Sequence, residues 1–505
     1  MYSDEFLRER SWTGTLPSEL LIHQALRIDS LLSSWAWSQP ERCAILFEGS
    51  VITYGALDAM VNRAASGLIA HGVNVGDIVA VEADNSPQVV ALLYGLVRAG
   101  ATLLPLNPRN TPSEKDFQVA DAGAKMRIGI GGLPIEQIFE QGSEDPVEIN
   151  FDENLFFHVR FTGGTTGVPR CVAATHRAIA LGHERVAREL RYSNKDVALV
   201  VAPLAHVSFH LAATMLAAGG AIALHRKFDG KNLWEACDRD GVTHAMLVPT
   251  MLGMALDIPK PPRTLRQIIV TSAPFPESMK VRARERLPNV EIYEVYGASD
   301  MALVTIFRPT DPPEKFRSVG RPALGAKVRV ISDEGKVCAP KEIGQIYSVS
   351  QHHTFGYVGS IKKKVDQTLP GGWLTVGDLG YFDEDGYLYI VDRRDDLIIS
   401  GGFNVYPAEV ENILLQHPQV SQVAVVGVKH EKWGQMVAAA VICEPGVSPV
   451  DLDKHCRTYL SDYKVPRHYE FVDTLPLTPA LKIMRRAVRA DLEEKVLQMK
   501  TGIPI

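Results

Sequence analysis

Short apolar runs alternate with helix-patterned stretches through the N-terminal half of the chain, and this alternation constrains the fold more than any other feature. Ile78–Glu82 reads as a strand, 88–99 as a helix and 101–106 as a second strand. Further strands are expected at 198–202, Ala221–Leu224, 245–248, 268–271 and 291–296, with helical stretches between most of them. These strands are apolar throughout rather than alternating, so both faces are covered, and the expectation is an α/β fold with a parallel sheet flanked by helices. From about residue 318 the texture changes. Lys327–Ile331 and 344–350 alternate in polarity between Gly and Pro punctuation, as in a small β-barrel-like subdomain. The cluster Asp392-Arg393-Arg394-Asp395-Asp396 then interrupts the pattern, and the residues beyond it have a strand–helix pattern of their own, enough for a separate small domain. A chain of 505 residues needs more than one core, because single cores rarely outgrow about 250–300 residues.

Composition narrows the function. With 46% hydrophobic and 22% charged residues, the chain is neither disordered nor fibrous. Lys and Arg number 53 against 59 Asp and Glu, a net charge of −6, which argues against a nucleic-acid partner. The run Lys362-Lys363-Lys364 reads as a solvated loop. Six cysteines without a CxxC pair suggest neither a disulfide framework nor a zinc site, and fit a reducing cytoplasm. The first ten residues lack the apolar core of a signal peptide. Residues 197–224 contain no Asp, Glu, Lys or Arg and are long enough to cross a bilayer. Pro203, His206, His210, Gly219 and Gly220 interrupt them, so a buried strand and helix beside a pocket is the expectation, with no membrane span.

The strongest local signal is Phe161-Thr162-Gly163-Gly164-Thr165-Thr166-Gly167-Val168-Pro169-Arg170. Three glycines let backbone N–H groups approach an anion, and threonine hydroxyls add donors, so the loop can cradle phosphates. It lacks the GxxxxGK pattern of a Walker loop. Taken alone, it is also compatible with a flexible surface loop.

The loop resembles the phosphate-binding signature of the adenylate-forming superfamily, which contains acyl- and aryl-CoA synthetases, peptide-synthetase adenylation domains and luciferases. Four further stretches resemble the superfamily's motifs in order: Tyr296-Gly297-Ala298-Ser299-Asp300; Gly372-Trp373-Leu374-Thr375-Val376-Gly377-Asp378; Asp392 through Asp395 with Gly401-Gly402-Phe403-Asn404-Val405-Tyr406-Pro407; and Leu477-Thr478-Pro479-Ala480-Leu481-Lys482. The resemblance implies a large N-terminal domain (1–392) of stacked α/β sheets plus a barrel, a hinge (393–396) and a small mobile α+β domain (397–505). It also implies that a carboxylate attacks the α-phosphorus of ATP, with Mg2+, to give an acyl-adenylate that is handed to CoA.

The roles follow from the same resemblance. Lys482 bridges carboxylate and α-phosphate, and Thr166 and His206 stand with it as catalytic groups. Thr162, Gly163, Gly164, Thr165, Gly167 and Arg170 hold the phosphates. Ser272 and Tyr296 meet the nucleotide, Tyr296 by stacking on adenine. Asp378 accepts both ribose hydroxyls, and Arg393 reaches ribose or phosphate. Asp300 is the magnesium ligand and Asp395 the hinge residue. Gly401 and Gly402 line a pantetheine path, although a cap or bulge explains either glycine nearly as well. The stretch from His430 to Gln435, with Trp433, and residues Lys464 and Arg467 point to CoA, as in aryl-CoA ligases such as 4-chlorobenzoate–CoA ligase; for Lys464 and Arg467 a solvated loop is the plainer account.

Departures accompany the matches. Gly163 stands where the family has Ser, Arg170 where it has Lys, Asp300 where it has Glu, Glu294 where it has an amide, and Ala480-Leu481 where it has Ser-Gly. None removes a charge, so an active enzyme is expected, with ATP held more weakly. The segment Pro203–His210 has no carboxylate to hold an α-ammonium group, which disfavours amino acids. His206 gates the acid pocket, whose walls are Met246, Ser272, Val295, Gly297, Ala302 and Leu303 by comparison with the family; an aromatic, alicyclic or medium-chain acid fits them. His183 and Arg185 fall near this pocket and admit a second polar group, or lie on a surface helix. A metal at His206 and His210 lacks a third ligand. The alternative acceptor is an amine or a carrier-protein thiol.

Overall fold

The computed structural model describes residues 27–108, 110–162, 170–204, 208–350, 356–358, 368–394, 396–477 and 483–501. Among these the chain forms four sheets. One has nine strands, with Val197–Val200, Ala221–Leu224, His244–Leu247, Gln267–Thr271 and Glu291–Ala298 running parallel through its middle. A second, six-stranded sheet places Ile78–Glu82, Thr102–Pro105, Met126–Gly129 and Phe156–Thr162 parallel. The apolar runs thus sort into two sheets, as the resemblance implies, the first with antiparallel strands at both edges and the second at one. Cys43–Phe47 with Ser50–Thr53, Glu291–Ala298 with Ala302–Phe307, and Phe156–Thr162 with Arg170–Thr175 are hairpins, whose strands need no buried crossover.

Helices fill the space between these two sheets. Pro87–Arg98 is buried along almost its whole length, as a helix apolar but for its ends must be, and its one charged side chain, Arg98, is ion-paired with Asp58. It begins where the Ser86 side chain accepts the Val89 N–H, with Pro87 preset for the first turn. Together with Tyr54–Ala70 and Phe209–Ala217 it joins one core cluster containing Ile45 and Ile222 of the first sheet and Val79 and Phe157 of the second. The charge-free segment 197–224 resolves into Val197–Val200, Phe209–Ala217 and Ala221–Leu224. Among the described residues no helix is long and apolar enough to cross a membrane.

The barrel-like region is a sheet built on Lys327–Ile331, Gly344–Val349, Asp378–Phe382 and Leu388–Arg393. Beyond residue 397, Val420–His430 and Gly434–Cys443 form a long antiparallel pair, with separate apolar clusters on its two faces. Helices Pro407–Leu414 and Pro449–Tyr459 cover one face and Arg485–Thr501 the other. The two regions meet at Asp392, which accepts the N–H of Ala408 in the first turn of Pro407–Leu414 at 2.8 Å. That helix has no capping side chain of its own, so Asp392 supplies one from outside.

Candidate active site

Asp378 begins one barrel strand, and strand pairing sets it opposite Arg393 at the end of the next. Its carboxylate accepts the Arg393 Nε–H at 3.1 Å and the Tyr296 hydroxyl at 2.6 Å. Asp378 is only 5% exposed. Burial, reinforced by this carboxylate, pushes the Tyr296 phenol well above its ordinary range, so it stays a donor. Three sequence candidates that lie far apart in the chain are thus joined through one carboxylate.

Tyr296 lies on Glu291–Ala298, which turns tightly into Ala302–Phe307 and leaves Asp300 in the connection. At Gly297 the ladder bulges, and a Cβ there would lie 2.1 Å from the Ala302 carbonyl oxygen, so only glycine fits. Ala302 and Ser272 both adopt left-handed backbone conformations, with φ of 52° and 74°. Non-glycine residues hold such angles at a cost that clusters at ligand sites. Asp300 is buried and close enough to Arg160 for their charges to interact. Arg160 stands two residues before the end of Phe156–Thr162; Thr162 pairs directly with Arg170, and the phosphate-loop candidates lie between them. Gly163, Gly164, Thr165, Thr166 and Gly167 lie outside the described residues, as do His206, Asp395 and Lys482, and so does the run Lys362–Lys364.

Met246, Val295 and Leu303 pack against the same apolar cluster at the face between the sheets. The helix His176–Glu189, started by the Thr175 side chain accepting the Ala178 N–H, brings Ile179 and Val186 to that cluster. The surface-helix reading of His183 and Arg185 is corrected here, because both are at most 5% exposed. His183 lies on the side of Ile179 and Val186, and Arg185, two residues on, points to the opposite side, so the helix is covered on both. Arg185 donates to the Leu303 carbonyl at 3.1 Å, and His183 Nε2 is 3.0 Å from His210 Nδ1. His158, on the same strand as Arg160, lies edge-on to His210 with ring centroids 5.4 Å apart. Burial lowers the His183 imidazole to about 4 and holds His158 and His210 well below the ordinary range, so all three are neutral at pH 7. The sequence carries no spacing that links 158, 183 and 210; three separate elements bring them together. Among the described residues no group of His, Cys, Asp and Glu is arranged to hold a metal.

In the C-terminal region Gly401 and Gly402 are the two central residues of a hairpin between Ile398–Ser400 and Phe403–Val405. Their φ values of 57° and 84° are those a two-residue turn demands. A Cβ at Gly402 would meet nothing within 4 Å, so its backbone angle, not crowding, selects glycine there. Gly401 donates its N–H to the Trp433 carbonyl at 2.9 Å, and the Trp433 ring stacks on His430 and lies under the Arg467 guanidinium. Lys464 is ion-paired with Glu409 at 2.6 Å, and Arg467 with Asp462 at 2.7 Å. Glu411 and Arg485, which the sequence reading did not place in any site, form a 2.6 Å ion pair close to Asp392 and Asp396.

The pattern of comparison with known proteins is consistent over the whole chain. AMP-binding enzyme matches residues 32–358, and the AMP-binding enzyme C-terminal domain matches 409–482. The chain belongs to the AMP-binding enzyme family. It is 34% identical to 2-succinylbenzoate–CoA ligase of Geobacillus kaustophilus, over 91% of this chain and 96% of that one. It superposes with a TM-score of 0.82 on o-succinylbenzoate coenzyme A synthetase of Bacillus subtilis in complex with ATP and magnesium (28% identity, 90% and 98% covered). The amide bond synthetase of Marinactinospora thermotolerans gives a TM-score of 0.84 at 27% identity, with 93% and 99% covered. The adenylate-forming superfamily expected from the motifs is thereby established.

One departure of this AMP-binding enzyme from the family pattern has a local cause. Glu294 is buried beneath the Tyr296 strand, where the Lys280 ammonium sits 2.5 Å from its carboxylate. Lys280 also donates to the Phe316 and Ser318 carbonyls and lies over the Phe307 ring. A carboxylate at 294 therefore belongs to a buried ion pair rather than to a free amide position.

Proposed function

We propose that this AMP-binding enzyme is an acid–thiol ligase: it condenses a carboxylic acid with ATP to an acyl-adenylate and pyrophosphate, then passes the acyl group to CoA. The observation that carries the reading is the buried Asp378 carboxylate held by Tyr296 and Arg393, the donor-rich setting in which one carboxylate takes two ribose hydroxyls. Lys482 neutralises charge developing between carboxylate and α-phosphate, and Thr162, Gly163, Gly164, Thr165, Thr166, Gly167 and Arg170 receive the phosphates with N–H, hydroxyl and guanidinium donors. Magnesium arrives with ATP. Its usual protein share is one or two carboxylates beside phosphate oxygens and water, and the buried Asp300 carboxylate fits that share. Bound there, the ion supplies charge neutralisation to the phosphates.

The acid faces Met246, Val295, Ala302 and Leu303 and is gated by His206. Residues 1–392 bind ATP and acid; 393–396, around Asp395, form the hinge; 397–505 move. Trp433, Gly401 and Gly402 form the face that meets the thiol arm of CoA. Six unpaired cysteines favour the cytoplasm. An amine or carrier-protein acceptor is the second reading, favoured by the similarity to an amide bond synthetase. Carboxylate-dependent pyrophosphate release, with CoA, amines or a carrier protein added and product masses recorded, separates the two. A thioester of CoA supports the first reading; an amide or acylated carrier without CoA thioester replaces it with the second.

A further inference from the structure

Helix Pro407–Leu414 is held at two points by charged groups from outside it, and the two holds lead in opposite directions. At its start Asp392, 6% exposed, accepts the Ala408 N–H at 2.8 Å with one carboxylate oxygen and the Arg393 N–H at 2.7 Å with the other. Arg393 in turn donates its Nε–H to Asp378. Glu411, three residues after Ala408 and so on the same side of the helix, pairs with Arg485 at 2.6 Å and accepts the Val425 N–H at 2.8 Å. Asp396 stands 3.8 Å from the same guanidinium. Arg485 opens the last helix directly after the closed base of a loop. There Leu477 and Ile483 form a bridge, and the Met484 N–H donates to the Pro476 carbonyl at 2.8 Å. Lys482 is the residue before Ile483.

These contacts make one line from Asp378 through Arg393, Asp392, the helix, Glu411 and Arg485 to the base of the Lys482 loop. A carboxylate on a helix N-terminus and a short ion pair are both charge-assisted bonds, which fix direction as well as distance. The two holds differ in kind. Asp392–Ala408 crosses the hinge at 393–396, so rotation of the small domain about that hinge breaks it, whereas Glu411–Arg485 travels with the small domain. In the orientation seen here residues 401–404 at the acceptor turn are exposed, so the contact across the hinge belongs to the stage before acyl transfer. Resting on the acid-activation reading, we propose that Asp392 and Arg485 are positioning residues for adenylation. Working through helix Pro407–Leu414, they set the base of the Lys482 loop against Asp378, and the Asp392 contact is released when the domain turns to deliver the acyl group.

The test uses the full-length enzyme and the best substrate from a panel of aromatic, alicyclic and medium-chain acids running from benzoate to octanoate. Adenylate formation is read as acid-dependent exchange of labelled pyrophosphate into ATP. Transfer is read as consumption of that acid's pre-made adenylate by whichever acceptor the wild type uses. Asp392→Ala and Arg485→Met should lower kcat for exchange by about 10–100-fold, the effect of a displacement of about 1 Å at the reacting atoms. KM for ATP and the rate of transfer should stay within about threefold of wild type. Asp392→Asn, which keeps an oxygen for the Ala408 N–H, and Arg485→Lys, which keeps the charge, should recover most of the exchange. Thermal melts confirm that each variant folds; if Asp392→Ala does not, Arg485→Met and Glu411→Gln decide. Equal falls in exchange and transfer, in step with the melting temperature, would make the contacts structural only. That result, or an unchanged exchange rate, overturns the proposal while leaving acid activation standing. Silence of the wild type across the whole panel overturns acid activation instead, and the proposal falls with it.

Discussion

Replacing Asp378 by Asn tests the heart of the nucleotide site with almost no change in shape. In the wild type the carboxylate accepts from Tyr296 at 2.6 Å and from Arg393 at 3.1 Å. The substitution removes the charge but keeps one carbonyl oxygen, so each charge-assisted bond of about 1.5–3 kcal/mol becomes a neutral one of about 0.5–1.5 kcal/mol. The Arg393 side chain is 44% exposed, so water replaces much of what it loses, and the folding cost should be only about 1 kcal/mol. Catalysis should suffer more. Two ribose hydroxyls lose a charged acceptor, about 2–3 kcal/mol together, which is about 30–150-fold in kcat/KM for ATP. The assay is pyrophosphate release against ATP concentration at saturating acid, with a thermal melt in parallel. A D378N enzyme within about threefold of wild type in kcat/KM for ATP would refute the ribose role.

Three further outcomes are expected. Lys280→Met strands the buried Glu294 carboxylate and should cost about 3 kcal/mol of unfolding free energy, most of it recovered by adding Glu294→Gln; urea melts showing no recovery would mean the pair is not the reason for a carboxylate at 294. Burial raises the Asp392 carboxyl to about 6, above about 3.9 in the unfolded chain. The folded state therefore holds this proton more tightly, and its stabilisation, present at low pH, is lost as pH rises toward 6 and beyond: about 3 kcal/mol in all, about 1 of it between pH 5 and 7. Asp392→Asn should remove that component, and identical pH 5 and pH 7 stability differences in both proteins would contradict it. Lys482→Ala should lower adenylate formation by about 100-fold or more yet leave consumption of a pre-made acyl-adenylate largely intact; an equal fall in both half-reactions would take the bridging role away from Lys482.

The central strands were legible because uninterrupted Val, Ile, Leu and Ala leave no polar face: 268–271 was expected and Gln267–Thr271 is found, 245–248 expected and His244–Leu247 found. The division into more than one sheet was legible only through the family resemblance, since apolar runs specify burial but not which neighbour a strand takes. Ser50–Thr53 escaped notice as a four-residue edge strand with only two apolar residues, and Cys43–Phe47, although wholly apolar, is one short run outside the strand–helix alternation. Asp378, Arg393 and Tyr296 were legible as motif members, whereas their mutual hydrogen bonds depend on a strand register that no motif encodes. The histidines at 158, 183 and 210 and the burial of Arg185 arise where a strand, two helices and the Leu303 strand converge. Helix periodicity alone could not say that His183 and Arg185, which point to opposite sides of His176–Glu189, would both be buried.

The most direct test of acid activation follows an oxygen atom. If the carboxylate attacks the α-phosphorus and the acyl group later leaves on a thiol or amine, acid labelled with oxygen-18 in its carboxylate must deliver one labelled oxygen to the phosphate of AMP. Mass spectrometry of AMP after turnover should show that single labelled atom. AMP free of label, with product formed, would mean that no acyl-adenylate lies on the path.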